Sequence, residues 1–176
     1  MKLGDDSSTT DRELHPEGSY VARLADLFIF TPEKPDQYGK MVPKVKTIWL
    51  SEVKDAEGSP IWLWRETTRK TGIYKGKKAV LRTIYEALLG QALGDDEAAD
   101  VDSSILLGKY ALLAVAHLKP ENGGKPYARV EGISRLSERD KGVVIDMSGY
   151  RRPAKFAACL PLFDDGQEPI RLEDTP

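Results

Sequence analysis

Between Arg65 and Arg82 the sequence carries Arg65, Arg69, Lys70, Lys75, Lys77, Lys78 and Arg82 against one anion, Glu66, a local charge of +6. Lys44 and Lys46 lie upstream, with Lys40 just before them, and the rings of Tyr38, Trp49, Trp62, Trp64 and Tyr74 are interleaved with these cations. Cations spaced along a chain can follow a phosphate backbone, and aromatic faces can stack unpaired bases at about 1–3 kcal/mol each, with little regard to base identity. The chemistry these residues suit is single-strand binding. Lys40, Lys44, Lys46, Arg65, Arg69, Lys70, Lys75, Lys77 and Lys78 are the candidate phosphate contacts, and Trp49, Trp62, Trp64 and Tyr74 the candidate stacking rings. The plainer expectation for any one tryptophan is the core, and in an alternating strand Trp62 and Trp64 share the side opposite Ile61 and Leu63.

Catalytic patterns are poorer. Gly72 to Lys78 has a phosphate-loop flavour, but only three residues separate its glycines where four are needed, and Lys78 stands where a hydroxyl should hold Mg²⁺. Asp36 with Glu52 and Lys54 imitates the acidic pair and lysine of a Mg²⁺-dependent nuclease, in which carboxylates hold the metal. The segment from Asp95 to Asp102 lacks the glycine and closing glutamate of a calcium loop. His15 falls in a polar arm and His117 in an apolar strand, a pair that supports neither a zinc site nor a Ser-His-Asp arrangement. No catalytic residue, metal or cofactor is expected.

These residues sit in a chain of 176 with 40% hydrophobic and 31% charged residues, a composition that supports one core with polar extensions. The net charge of −2 conceals a division, because residues 95–102 hold five carboxylates and the end holds Asp164, Asp165, Glu168, Glu173 and Asp174. Cys159 is the only cysteine, so no internal disulfide forms and a reducing cytoplasm is the expected setting. The first residues lack the apolar core of a signal peptide, and no stretch reaches the ~18 apolar residues of a membrane span.

The elements that must position the cations follow from periodicity. Residues 1–17, acidic and almost without apolar side chains, read as a flexible arm. Strands are expected over 18–30, 44–53 and 61–65, the second with Val45, Thr47, Trp49 and Val53 on one face and Lys44, Lys46 and Glu52 on the other. Val80, Ile84 and Leu88 at four-residue steps mark one helix from about 77 to 89, ended by Gly90. Two further strands, 109–118 and 127–136, flank a Pro-Asn-Gly-Gly turn. This order makes the chain mainly β and suits a five-stranded antiparallel OB barrel over 18–136 with one helix between strands three and four. An open antiparallel sheet covered by the helix is the alternative. Residues 137–176 form an extension whose apolar cluster suits packing on the barrel or on a second copy in a homodimer, before an acidic tail.

Several segments also resemble small phage and prophage single-stranded-DNA-binding proteins of the OB type. They are Pro16-Glu17-Gly18-Ser19-Tyr20-Val21-Ala22, the Trp64, Thr67, Gly72 spacing, the helix end Ala87-Leu88-Leu89-Gly90, and Leu106-Leu107-Gly108-Lys109. The resemblance, which spans 16–136, implies a non-catalytic role in DNA replication or recombination in a bacterial cytoplasm. The acidic tail would then tether replication or recombination proteins, although Thr175-Pro176 lacks the aromatic terminal residue of cellular counterparts. The competing expectations are a protein-interaction module with a decorative basic patch and, behind it, the nuclease.

Overall fold

A computed structural model describes residues 13–159. The central strand, β1 (Gly18–Phe30), is long enough to serve two partners: Gly18–Arg23 pair with β6 (Tyr110–Leu118), and Ala22–Phe30 with β2 (Lys44–Lys54). A bulge between Leu24 and Asp26 marks the handover. With β3 (Pro60–Thr68) on β2 and β7 (Tyr127–Ser134) on β6, the sheet runs β3-β2-β1-β6-β7, antiparallel throughout. The mainly β, five-stranded expectation holds. Among the described residues no ladder joins β3 to β7, although Arg65 Nη1 donates to the Val130 carbonyl across the gap at 2.9 Å.

The region between β3 and β6 is richer than one helix. Helix α1 (Val80–Leu89) begins three residues later than its lysines suggest, because Ile73–Tyr74 (β4) and Lys77–Lys78 (β5) pair as a hairpin. Lys75 and Gly76 turn that hairpin with φ of 50° and 76°, the left-handed values a two-residue turn needs. Gly90 closes α1 in the left-handed region, as its position implied. The acidic stretch then forms a short helix, α2 (Asp95–Ala99), whose first turn carries Asp95, Asp96 and Glu97 where the helix dipole favours anions.

Alternation explains the core. Leu27 and Ile29 face inward onto Val45, Trp49, Leu63, Leu113 and the α1 residues Leu81, Ile84 and Leu88, whereas Phe28 and Phe30 face outward and are buried as well. A strand apolar on both faces needs cover on both. The outer cover is the segment 143–159, a strap that lays Phe156 and Cys159 on Phe28, Phe30 and Ile48, and Ile145 on Val21 and Leu50. β2 is consequently not half exposed: Ile48 and Leu50, on the lysine side, lie under the strap.

One ion pair pins this strap. Arg152 grips the buried Asp26 carboxylate through Nε and Nη2, each at 2.8 Å, while the Tyr150 hydroxyl donates to it at 2.7 Å and the Leu27 amide at 2.9 Å. Burial alone would raise the Asp26 pKa, but these donors outweigh it and hold the carboxyl below its ordinary range. Burial and the same carboxylate push the Tyr150 phenol well up.

The expectation of a flexible arm over 1–17 fails for its last residues. His15 is buried, its Nδ1–H on the Pro16 carbonyl at 2.8 Å and its Nε2 accepting from Ser51 Oγ at 2.6 Å. The His117 ring in turn donates from Nε2 to the His15 carbonyl at 2.6 Å, and Glu17 accepts from the His117 amide. Polar residues are held here by hydrogen bonds, helped by the edge-on contact of the His15 and Tyr20 rings at 4.8 Å, which hydropathy cannot register. Residues 1–12 and the acidic tail from 160 lie outside the described residues. Among those described, no helix is long and apolar enough to cross a membrane.

Arg152→Ala leaves the Asp26 carboxylate buried without its partner and is expected to lower unfolding stability by about 3 kcal/mol in urea, more than Asp26→Asn with Arg152→Met together. Burial pushes the His15 imidazole below its ordinary value of about 6.5. Between those two values the unfolded chain binds more protons than the folded one, so stability rises with pH through that window and is complete above it. Urea midpoints from pH 5 to 7 should climb in the wild type, and the slope should flatten in His15→Gln.

Candidate functional site

The thirteen candidate residues separate sharply by burial. Trp49 is 0% exposed, with its indole Nε1 donating to Thr47 Oγ1 at 2.9 Å inside the core, so it is a packing residue and offers no stacking face. Trp62 is half-buried against Tyr150 of the strap, their ring centroids 4.9 Å apart. Trp64, two residues on along the same face of β3, is 47% exposed, and Tyr74 on the hairpin is 76% exposed. Tyr38, in the β1–β2 loop, is 77% exposed.

The cations divide the same way. Lys46 has a side chain only 13% exposed, paired with Glu66 at 3.3 Å and lying 4.6 Å from the centre of the Phe156 ring. Burial pulls its pKa below the ordinary lysine value despite Glu66. Arg65 is half-buried and spent on the Val130 carbonyl. Lys78 pairs with Glu86 at 2.8 Å, and Arg82 is buried, bonded to Glu86, to Asp95 Oδ1 at 2.6 Å and to the Leu93 carbonyl. Three of the seven cations in the +6 stretch therefore build the fold: one bridges β3 to β7 and two tie the hairpin, α1 and α2 together.

What is left is compact. Arg69, Lys70, Lys75 and Lys77 are exposed and make no ion pair among the described residues. Lys44 pairs with Thr68 at the end of the sheet, so it stands beside Arg69 and Lys70, and Lys40 lies in the loop that feeds into it. That loop is itself shaped by Asp36, whose Oδ1 accepts from the Tyr38 and Lys40 amides at 2.9 Å each and so fixes where Tyr38 and Lys40 project. The Lys44–Thr68 end of β2 and β3 thus carries Lys44, with Arg69 and Lys70 directly after it and the loop of Tyr38 and Lys40 directly before it, while Trp64 sits four residues back along β3, opposite Ile48.

The acids of the nuclease pattern are not brought together. Asp36 caps the loop before Lys44, whereas Glu52 lies at the far end of β2, eight residues or roughly 26 Å along the strand, accepting from the Val21 amide at 2.8 Å.

Tyr127 and Lys125 were missed in the sequence. They stand where the β6–β7 turn meets β7, and with Leu14, Trp62 and Trp64 they line a recess of about 510 Å³ between β3 and β7. Tyr127 is 42% exposed. The available signal was an aromatic between Lys125 and Arg129, directly after a turn holding Pro120, Gly123 and Gly124.

Acrylamide should quench Trp64 readily and Trp49 hardly at all: Trp64→Phe removes most of the quenchable emission and Trp49→Phe leaves it, read by fluorescence in the free protein. Compared with known proteins, the chain matches no family model and none of the curated proteins.

Proposed function

We propose that this protein binds single-stranded DNA without base preference and without catalysis, at the end of β2 and β3 that carries Lys44, Arg69, Lys70, Lys75 and Lys77. The observation that carries the reading is that Arg69, Lys70, Lys75 and Lys77 are exposed and without an ion pair among the described residues, with Lys44 half-buried beside them, in a chain that also exposes the rings of Tyr38, Trp64 and Tyr74, while the other cations of the stretch 65–82 are consumed by the fold. Water-exposed aromatics of this size cost hydration free energy unless a partner covers them, and bases are partners that bring compensating negative charge.

The strand order supports an OB-type barrel as the scaffold. In that reading β3 and β7 are the closing strands, Arg65 bridging them is the seam, α1 lies across one end, and the loop 31–43 and the turn 119–126 flank the binding face. The strap over β1 and β2 then limits the face to β3 and the loops. A role in replication or recombination of phage DNA, with the acidic tail recruiting partner proteins, follows from the family resemblance alone.

Titration of the tryptophan fluorescence with oligo-dT tests the reading. Quenching is expected at low salt, with log affinity falling against log salt at a slope of about −3 for four phosphates neutralised. Arg69→Glu with Lys70→Glu should flatten that slope by about 1.4, and Trp64→Ala should cost about 1–3 kcal/mol of binding. No quenching at low salt rejects the proposal.

A further inference from the structure

The β4–β5 hairpin has no packing duty that explains its shape. Its base is fixed: the Ala79 amide donates to the Gly72 carbonyl at 2.9 Å, and Lys78 reaches Glu86 of α1 through contacts of 2.8 and 3.1 Å. Its turn is fixed by the left-handed Lys75 and Gly76. Yet Ile73 is 51% and Tyr74 76% exposed, and adjacent strand residues point to opposite faces. Both faces of a rigid two-stranded blade therefore carry an apolar side chain, and opposite each stands a lysine, Lys78 across from Ile73 and Lys77 across from Tyr74.

A platform for an unpaired strand needs one stacking face; this blade has two. Apolar side chains on rigid protruding elements act on nucleic acid as wedges that replace base–base stacking. The end of a duplex is where such a blade fits without first breaking a stack inside a helix, because the last base pair already exposes one face and the two strands diverge around it. On such an end the ring of Tyr74 or the side chain of Ile73 would cover that pair, the other would meet the departing strand, and the exposed Lys75, Lys77, Arg69 and Lys70 would be available to the diverging phosphates. The Lys75 ammonium already stands 5.5 Å from the centre of the Tyr74 ring, next to where a stacked base would bring its phosphate.

We propose that the hairpin 73–78 is a junction-binding wedge that recognises the boundary between single- and double-stranded DNA. This rests on the single-strand reading above and adds to it a preferred position on the DNA.

The experiment compares the affinity of the full chain for a forked duplex with that for the same unpaired strand alone and for the blunt duplex alone. The wild type should favour the fork over either control by about tenfold, the scale of one added stacking contact. Ile73→Ser with Tyr74→Ser should bring the fork-to-single-strand ratio to about one, with an unchanged melting temperature because both side chains are exposed. Trp64→Ala should weaken fork and single strand together and keep the ratio, whereas Lys78→Ala, which frees the base of the hairpin, should lower it. A wild-type ratio of about one, or a ratio that survives the Ile73/Tyr74 change, overturns the wedge while leaving single-strand binding standing. Binding to neither DNA overturns the underlying function instead.

Discussion

The carboxylate of Asp26 is buried on β1, the central strand of the sheet, and a buried charge without partners costs several kcal/mol. Arg152, Tyr150 and the Leu27 amide satisfy it, and since two of these donors come from the strap, the strap is bound to the sheet by the need to satisfy that one group. Its apolar residues then cover Phe28, Phe30 and Ile48, so both faces of β1 leave water. The direction of its grip also decides the exposed surface. Tyr150 packs on Trp62 and leaves that ring half-buried, whereas Trp64 on the same face of β3 stays 47% exposed.

Electrostatics sorts the cations by the same principle. A guanidinium that loses water must find carboxylates or carbonyls, and the buried Arg82 finds Glu86, Asp95 and the Leu93 carbonyl, while Lys78, still largely in water, shares Glu86. The Glu86 carboxyl is held below its ordinary value, chiefly by Lys78. The acidic stretch at 95–102 is thus partly a counter-ion for the basic one, which explains why runs of opposite sign lie close in sequence. The four cations that remain without an ion pair among the described residues stand on the hairpin and in the turn before it, where Arg69 shares a recess with Asp100 and Asp102.

Much of the fold was legible because it rests on periodicity. The five long strands, the α1 stripe and its Gly90 stop, and the turn at 119–126 all follow from alternation, four-residue steps and glycine placement. The errors share another cause. The hairpin at 73–78 and the helix α2 are short elements fixed by ion pairs and by one turn, and the docking of His15 is made by hydrogen bonds to residues 36 and 102 positions away. For the candidate site, residue type and clustering could not tell Trp49 from Trp64 or Lys46 from Lys70. That distinction depends on which face of β2 and β3 the strap covers, and the strap comes from the segment whose path no periodicity indicates.

The near-neutral total charge acquires a physical sense from this arrangement. Were all seven cations of the stretch 65–82 unpaired, their mutual repulsion would fall on the short hairpin and the first turn of α1, where like charges three or four residues apart destabilise a helix. Pairing Lys78 and Arg82 with Glu86 and Asp95 removes that repulsion at the base, and the same contacts stiffen the base against α1. Two anions, Glu86 and Asp95, thus hold the base of the hairpin and the start of α1 together while Ile73, Tyr74, Lys75 and Lys77 stay exposed. A sequence with the same cations and fewer carboxylates would carry more positive charge and present it less well.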